Sequence, residues 1–119
     1  MTILAMVSSR MARAGYSVVT ATRGDEAWRL VQENRPKLAL LDVEMPGLTG
    51  IEVTRLIRAD EALEKTFIVL LTSHSEESDV ATGMTAGADA YLTKPFSPQD
   101  LQTEVQRLIG APTASERRG

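Results

Sequence analysis

Short apolar runs alternate with longer amphipathic segments along most of the chain. Four of these runs are too short for helices and predict strands over 16–21, 37–41, 67–71 and 88–92. Start and stop signals between them predict helices over 24–34, 51–59, 75–87 and 98–109, and the last of these also has apolar residues at spacings of three and four. Strands that alternate with helices favour a parallel sheet that is covered by helices on both faces.

Three of the predicted helices carry recognisable start signals. Thr22 with Asp25, and Thr49 with Glu52, have the spacing of a capping box, in which two side chains bond reciprocally to backbone amides. Pro98 stands at the first position of the last helix, where its missing N–H has no intrahelical partner to lose.

Residues 3–14 allow two interpretations. Apolar residues at spacings of three and four predict an amphipathic helix that ends at Gly15, and the residues of this stripe are Ile3, Leu4, Val7, Met11 and Ala14. The alternative is a short strand over 3–7, which leaves little chain for a helix before the glycine. We favour the helix because its stripe is regular.

Composition narrows the classes of protein to consider. The 119 residues suit one domain, and 43% hydrophobic with 24% charged residues is typical of a soluble globular protein. A net charge of -3 gives no basic surface for nucleic acid or an anionic membrane. The sequence has no cysteine, no apolar run of membrane-spanning length and no secretory signal pattern. We therefore expect a cytoplasmic domain that binds neither nucleic acid nor membrane directly.

Three reactive side chains stand at or just after the ends of predicted strands, namely Asp42, Thr72 and Lys94. Because the carboxyl ends of parallel strands share one edge of a sheet, we expect these side chains to lie close together. A carboxylate can attack phosphorus and become an acyl phosphate. An ammonium group and a hydroxyl group can then bind the phosphoryl oxygens. The sequence therefore predicts a phosphoacceptor site.

The residues around this site form a longer pattern. The segment 42–50 reads D-x-x-M-P-x-x-x-G, Thr72 closes a strand, and Lys94 is followed by Pro95. This pattern resembles the receiver domain of two-component response regulators, the CheY-like family, and the three sites stand at intervals usual for that family. The resemblance extends over nearly the whole chain.

The resemblance implies a fold and a function. The fold is a flavodoxin-like, doubly wound parallel sheet in a three-layer α/β/α arrangement. The function is signal relay without an enzymatic activity: Asp42 accepts a phosphoryl group from a histidine kinase or a phosphotransfer protein, and Thr72 and Lys94 hold the phosphoryl oxygens.

The resemblance also implies a cofactor and a switch. Asp42 and the backbone carbonyl of Glu44 are the implied ligands of Mg²⁺. Movement of Thr72 and Tyr91 is implied to reshape the face formed by the last two helices and the last strand. A downstream protein, an output domain or a second copy of the chain would bind there.

One part of the family pattern is missing under the helical interpretation of 3–14. The family begins with an apolar strand that ends in two adjacent acids, and counting back from the following turn puts those acids before Met1. We therefore expect that the first strand is missing and that Mg²⁺ binds weakly. A late start of the sequence is the explanation we favour, beside a damaged receiver or a strand donated by another chain. If 3–7 is instead the strand, Ser8 and Ser9 replace the acids.

Two other functions stay open. A receiver-shaped docking module that no longer takes phosphate is consistent with the missing acids. An enzyme of the haloacid-dehalogenase type also has a strand-terminal Asp two residues before a second acid, as in Asp42 and Glu44. Met45 and Pro46 fit that family poorly, and it needs a further acidic pair that the chain lacks after Lys94.

We expect the receiver domain, N-terminally truncated under the helical interpretation, to span 1–110, with a tail or linker over 111–119. The remaining polar residues have simpler interpretations. Arg58 is predicted to lie on a solvated helix face, His74 in an exposed loop, and the side chain of Glu44 at the surface.

Overall fold

The computed structural model describes residues 2–5, 17–72, 77–93 and 97–110. These residues form five strands, which are β1 (Thr2–Ala5), β2 (Ser17–Thr20), β3 (Leu38–Asp42), β4 (Phe67–Thr72) and β5 (Ala90–Thr93). They also form four α-helices, which are α1 (Gly24–Asn34), α2 (Gly50–Ala59), α3 (Glu77–Ala86) and α4 (Pro98–Ile109), and a short 3₁₀ helix over Glu61–Leu63.

The five strands make one parallel sheet in the order β2-β1-β3-β4-β5. The chain order reverses between β1 and β3, as it does in a doubly wound sheet, where the working site lies beyond the carboxyl ends of the strands. The predicted flavodoxin-like fold is confirmed, and so are the strands predicted from the four apolar runs.

The prediction that the first strand is missing is wrong. Thr2–Ala5 pairs with both β2 and β3, with Leu4 opposite Val19 on one side and Ala39 on the other. A short apolar segment satisfies the spacing of a helix as well as that of a buried strand. The sheet decides between them, because without β1 the facing backbone groups of β2 and β3 would be buried without hydrogen bonds. The rest of the predicted helix, 6–14, lies outside the described residues.

The core has two layers, one on each face of the sheet. Alternate residues of β3 point to opposite faces, so Ala39 and Leu41 belong to one layer and Leu38 and Leu40 to the other. The first layer is completed by residues of α1, α2 and β4, among them Val31, Val53, Ile57, Ile68 and Leu70. The second is completed by residues of β4, β5 and α4, among them Val69, Leu71, Ala90, Leu101 and Val105. A strand that is covered on both faces explains why 37–41 shows no polar alternation.

Among the helix starts that the structure describes, two have a capping box. The predicted box of Thr49 and Glu52 is confirmed at α2, and a second box joins Ser97 and Asp100 at α4. The predicted box at Thr22 is wrong, because α1 begins after Arg23 without a side-chain cap. The carboxylate of Asp25, which the box would have used, instead accepts a hydrogen bond from Arg23 Nε at 3.2 Å.

Arg58 of α2 ties three segments together at the amino ends of the strands. Its guanidinium group donates to the carbonyl oxygens of Gly87 and Thr66 and to Asp89 Oδ2, each at 2.8 Å. The same Asp89 oxygen accepts the amide N–H of Ile68 at 2.8 Å. The side chain of Arg58 is only 24% exposed, so the prediction that it lies on a solvated helix face is wrong. Amphipathic spacing did not reveal it, because its partners lie on other elements.

We expect Arg58→Met to destabilise the protein by about 2 kcal/mol or more, because it leaves a carboxylate and two carbonyl groups without their charged donor. Arg55→Met, on the exposed face of the same helix, is the matched control and should stay within about 0.5 kcal/mol of the wild type. Urea unfolding measures both. Equal losses for the two variants would contradict the role assigned to Arg58.

Candidate functional site

Three strands deliver polar side chains to one edge of the sheet. Asp42 is the last residue of β3 and is half-buried, and Thr72 is the last residue of β4 and is fully buried. Thr72 is paired with Thr93 at the end of β5. Lys94, which follows Thr93 in the sequence, lies outside the described residues. The structure therefore brings Asp42 and Thr72 to the same edge, and Lys94 stays a prediction.

Glu44 connects these two side chains. Its amide N–H donates to Asp42 Oδ1 at 2.9 Å, and its Oε1 accepts a hydrogen bond from Thr72 Oγ1 at 2.6 Å. Glu44 is exposed, as predicted, but its carboxylate reaches back to the end of β4. The position of Glu44, two residues after the end of β3, did not predict its contact with Thr72.

The loop after Asp42 turns the chain sharply away from the sheet. Val43 continues the ladder by donating to the carbonyl of Leu71 at 2.8 Å, and Met45 is buried in the core layer that contains α1 and α2. Gly47 has a φ of +76°, a left-handed conformation that favours glycine. The carbonyl of Pro46 accepts the amide N–H of Gly24 at 3.0 Å. Met-Pro-Gly thus anchors the loop and reverses its direction.

Gly50 lets the start of α2 approach the end of β3. A Cβ atom at this position would lie 2.6 Å from the carbonyl oxygen of Asp42 and 3.1 Å from the Cα of Val43. The amide N–H of Gly50 donates to the carbonyl of Val43 at 3.3 Å. A glycine is therefore required here for close backbone approach, and α2 holds the backbone of Asp42 in place.

Asp25 lies beside this loop in the first turn of α1. A Cβ atom at Gly47 would lie 2.7 Å from Asp25 Oδ1, so the carboxylate packs closely on the turn. Partial desolvation raises the pKa of Asp25, but the amide N–H groups of Asp25 and Glu26 and the Arg23 guanidinium outweigh it, and its pKa lies below the usual value. Asp25 is therefore ionised at neutral pH.

Tyr91 lies in β5 opposite Leu70 of β4 and is half-buried against the core layer that contains α1 and α2. A Cβ atom at Gly83 of α3 would lie 3.1 Å from Tyr91 Cε2. The ring therefore packs directly on the backbone of α3 at Gly83, which has no side chain. Through this ring, β5 packs against α3.

The oxygen donors near Asp42 are suited to a hard cation. Mg²⁺ prefers oxygen ligands, keeps several waters and is usually bound by one or two protein carboxylates. The carboxylate of Asp42 and the backbone of Glu44 supply such donors, and they fit a cation that keeps much of its water. No cluster of three or more His, Cys, Asp or Glu that could hold a metal occurs among the residues that the structure describes. The sequence has no Asp or Glu before Asp25, so no acid follows β1 before α1.

In the described parts of the chain, no helix is both long enough and apolar enough to cross a membrane.

The sheet order and the polar residues at the carboxyl ends of its strands define the class of protein. It is a doubly wound α/β domain with an aspartate at the end of a central strand. Residues 1–106 match the family model of the response regulator receiver domain. The chain belongs to this family, as the sequence pattern predicted.

Two similar proteins are transcriptional regulatory proteins of bacteria. The chain is 37% identical over 107 residues to the alkaline phosphatase synthesis transcriptional regulatory protein PhoP of Bacillus subtilis. The aligned residues make up 90% of this chain and 44% of PhoP. It is 41% identical over 95 residues to the phosphate regulon transcriptional regulatory protein PhoB of Rhizobium meliloti. The aligned residues make up 80% of this chain and 42% of PhoB. The chain therefore spans less than half the length of these two relatives.

Solved receiver structures have the same fold. The receiver domain of the sensor histidine kinase PA1611 from Pseudomonas aeruginosa, with a magnesium ion in its active-site cleft, superposes with a TM-score of 0.82 at 31% identity. That alignment covers 92% of this chain and 98% of the PA1611 domain. The chemotaxis protein CheY4 of Vibrio cholerae gives a TM-score of 0.83 at 34% identity, covering 90% of this chain and 97% of CheY4.

We expect Gly50→Ala to destabilise the protein by about 1–3 kcal/mol, because the new methyl group meets the backbone of β3, which cannot move aside cheaply. Gly83→Ala is the contrasting variant, since its methyl group meets only side-chain atoms of Leu70 and Tyr91 and alanine favours the helix. It should stay within about 1 kcal/mol of the wild type. The reverse order in urea unfolding would contradict the assigned packing.

Proposed function

We propose that Asp42 is the phosphoacceptor of this receiver domain and takes its phosphoryl group from a histidine kinase or a phosphotransfer protein. An Asp42 carboxylate oxygen attacks the phosphorus, a new P–O bond forms, and the P–N bond to the donor histidine breaks. The product is an aspartyl phosphate. The observation that carries this proposal is the half-buried Asp42 at the carboxyl edge of a doubly wound sheet, beside the buried Thr72.

The proposed partners of the phosphoryl group are Thr72 and Lys94. The hydroxyl of Thr72 stands at the end of the strand next to Asp42 and can donate one hydrogen bond to a phosphoryl oxygen. Lys94 follows β5 in the sequence, and its ammonium group supplies a compact positive charge. Both interactions strengthen as negative charge gathers on the transferring group.

The carboxylate of Asp42 and the backbone carbonyl of Glu44 are the proposed protein ligands of Mg²⁺. A Mg²⁺ ion held by these two groups would supply positive charge that offsets the negative charge of the carboxylate and of a phosphoryl donor. The magnesium in the cleft of the PA1611 receiver domain supports this assignment. Because no acid stands between β1 and α1, we expect a lower Mg²⁺ affinity than in a receiver that has an acidic pair there.

The proposed response to phosphorylation passes through Thr72 and Tyr91 to the face formed by α3, β5 and α4. Tyr91 contacts α3 at Gly83, so a change at the end of β4 can alter the position of the ring and of the helix. A downstream protein, an output domain or a second copy of the chain is the proposed partner at this face. PhoP and PhoB are transcriptional regulatory proteins, which favours an output domain outside the matched region.

A docking module that does not take phosphate is the second candidate. The absence of Asp and Glu before Asp25 favours it, because a receiver that binds Mg²⁺ poorly also transfers phosphate poorly. In that case the same face would bind its partner without phosphorylation.

Intact-mass spectrometry after incubation with acetyl phosphate and Mg²⁺ separates the two candidates. We expect the wild type to gain one phosphoryl group and Asp42→Asn to gain none, because the amide cannot form the acyl phosphate. Asp60→Asn is the control, since the new amide can still cap the 3₁₀ helix. Folded wild type that gains no phosphoryl group, or a gain that persists in Asp42→Asn, would overturn the proposal.

A further inference from the structure

We propose that the carboxylate of Glu44 holds the Thr72 hydroxyl in the resting protein and competes with the phosphoryl group for it. Phosphorylation of Asp42 then requires Glu44 to leave Thr72. This inference rests on the proposed function and adds a regulatory residue to the same site. Glu44 acts here as a positioning residue, since it works through Thr72.

The hydrogen bond between Thr72 and Glu44 is the first support. The Oγ1–Oε1 distance of 2.6 Å is typical of a hydroxyl that donates to a carboxylate, and such charge-assisted bonds are stronger than neutral ones. A threonine hydroxyl has a single proton to donate. While that proton is directed at Glu44, it is not available to a phosphoryl oxygen on Asp42.

The second support is the geometry of the short segment from Asp42 to Glu44. The amide N–H of Glu44 donates to Asp42 Oδ1 at 2.9 Å, and its side chain reaches Thr72. The carboxylates of Asp42 and Glu44 are therefore held at the same end of β3 and β4. A phosphoryl group on Asp42 adds negative charge at this place, and like charges at close range repel each other.

The third support is the difference in burial between the two partners. Thr72 is fully buried and stays at the sheet edge, whereas Glu44 is exposed. The glutamate can therefore turn into water at little desolvation cost, and the hydroxyl remains in place for the phosphoryl group. The Thr72 hydroxyl thus has two alternative acceptors, the Glu44 carboxylate and the phosphoryl group on Asp42. Glu44 favours the arrangement of the unphosphorylated protein.

A different role for Glu44, as a side-chain ligand of Mg²⁺, makes the opposite prediction. Loss of a ligand would raise the Mg²⁺ concentration needed for half-maximal phosphorylation and slow the reaction below saturation. Loss of a competitor for Thr72 speeds the reaction at saturating Mg²⁺. The two roles are therefore distinguished by the rate of phosphorylation measured over a range of Mg²⁺ concentrations.

The experiment measures the rate of phosphorylation by acetyl phosphate at saturating Mg²⁺ in the wild type, Glu44→Gln and Glu44→Ala. Glu64→Gln, an exposed glutamate after the 3₁₀ helix, is the matched control for the change in net charge. We expect Glu44→Ala to react about threefold to tenfold faster than the wild type and the control to match the wild type. Glu44→Gln should also be faster, but by less than Glu44→Ala, because its amide oxygen can still accept the Thr72 hydrogen bond without the charge. The gain of Glu44→Gln should shrink as salt is added, because its source is partly repulsion at an exposed charge.

The outcomes separate this inference from the proposed function. If the wild type is phosphorylated and the Glu44 variants are no faster, or are slower with a raised Mg²⁺ requirement, the inference is overturned and the phosphoacceptor role stands. If Glu44→Ala is phosphorylated where the wild type is not, the inference is supported. If no variant gains a phosphoryl group, the proposed function fails and the inference fails with it.

Discussion

The parallel pairing of β3 with β4 is the constraint on which the site depends. It sets Asp42 opposite Leu71, so that Thr72 lies one residue further along the neighbouring strand at the same edge. Both strands are packed on their two faces by different core layers, so a slip in register would disrupt the close packing of both layers. The same packing that stabilises the sheet therefore fixes the distance between the aspartate and the hydroxyl.

The loop that follows β3 fixes the backbone next to Asp42. Gly50 brings α2 against the carbonyl of Asp42, and Met45 anchors the loop in the core. Arg58 holds the other end of α2 to the start of β5 through Asp89. The helix is thus held at both ends, which leaves the Asp42 backbone little freedom.

The sequence predicted the strands, most helix boundaries and the sheet edge because each follows from a local period or a capping signal. The assignment of 3–14 as a helix was wrong over residues 3–5, which belong to β1. A short apolar run fits both periods, and only the need of β2 and β3 for backbone hydrogen-bond partners decides between them. The contacts of the Arg58 and Glu44 side chains were also missed. Their partners, Asp89 and Thr72, stand far away in sequence, and no local pattern records such contacts. The roles of Asp42, Thr72, Lys94 and Tyr91 stay predictions.

A structure of the protein with Mg²⁺ and beryllium fluoride, which mimics a phosphoryl group on a carboxylate, tests the central claim most directly. The account predicts the fluoride on Asp42, the Thr72 hydroxyl turned to a fluorine atom, and the Glu44 carboxylate moved away from Thr72. Beryllium fluoride bound to Asp42 with the contact between Thr72 and Glu44 intact would contradict the proposed competition. Failure of the ligand to occupy Asp42 in folded protein would contradict the phosphoacceptor role itself.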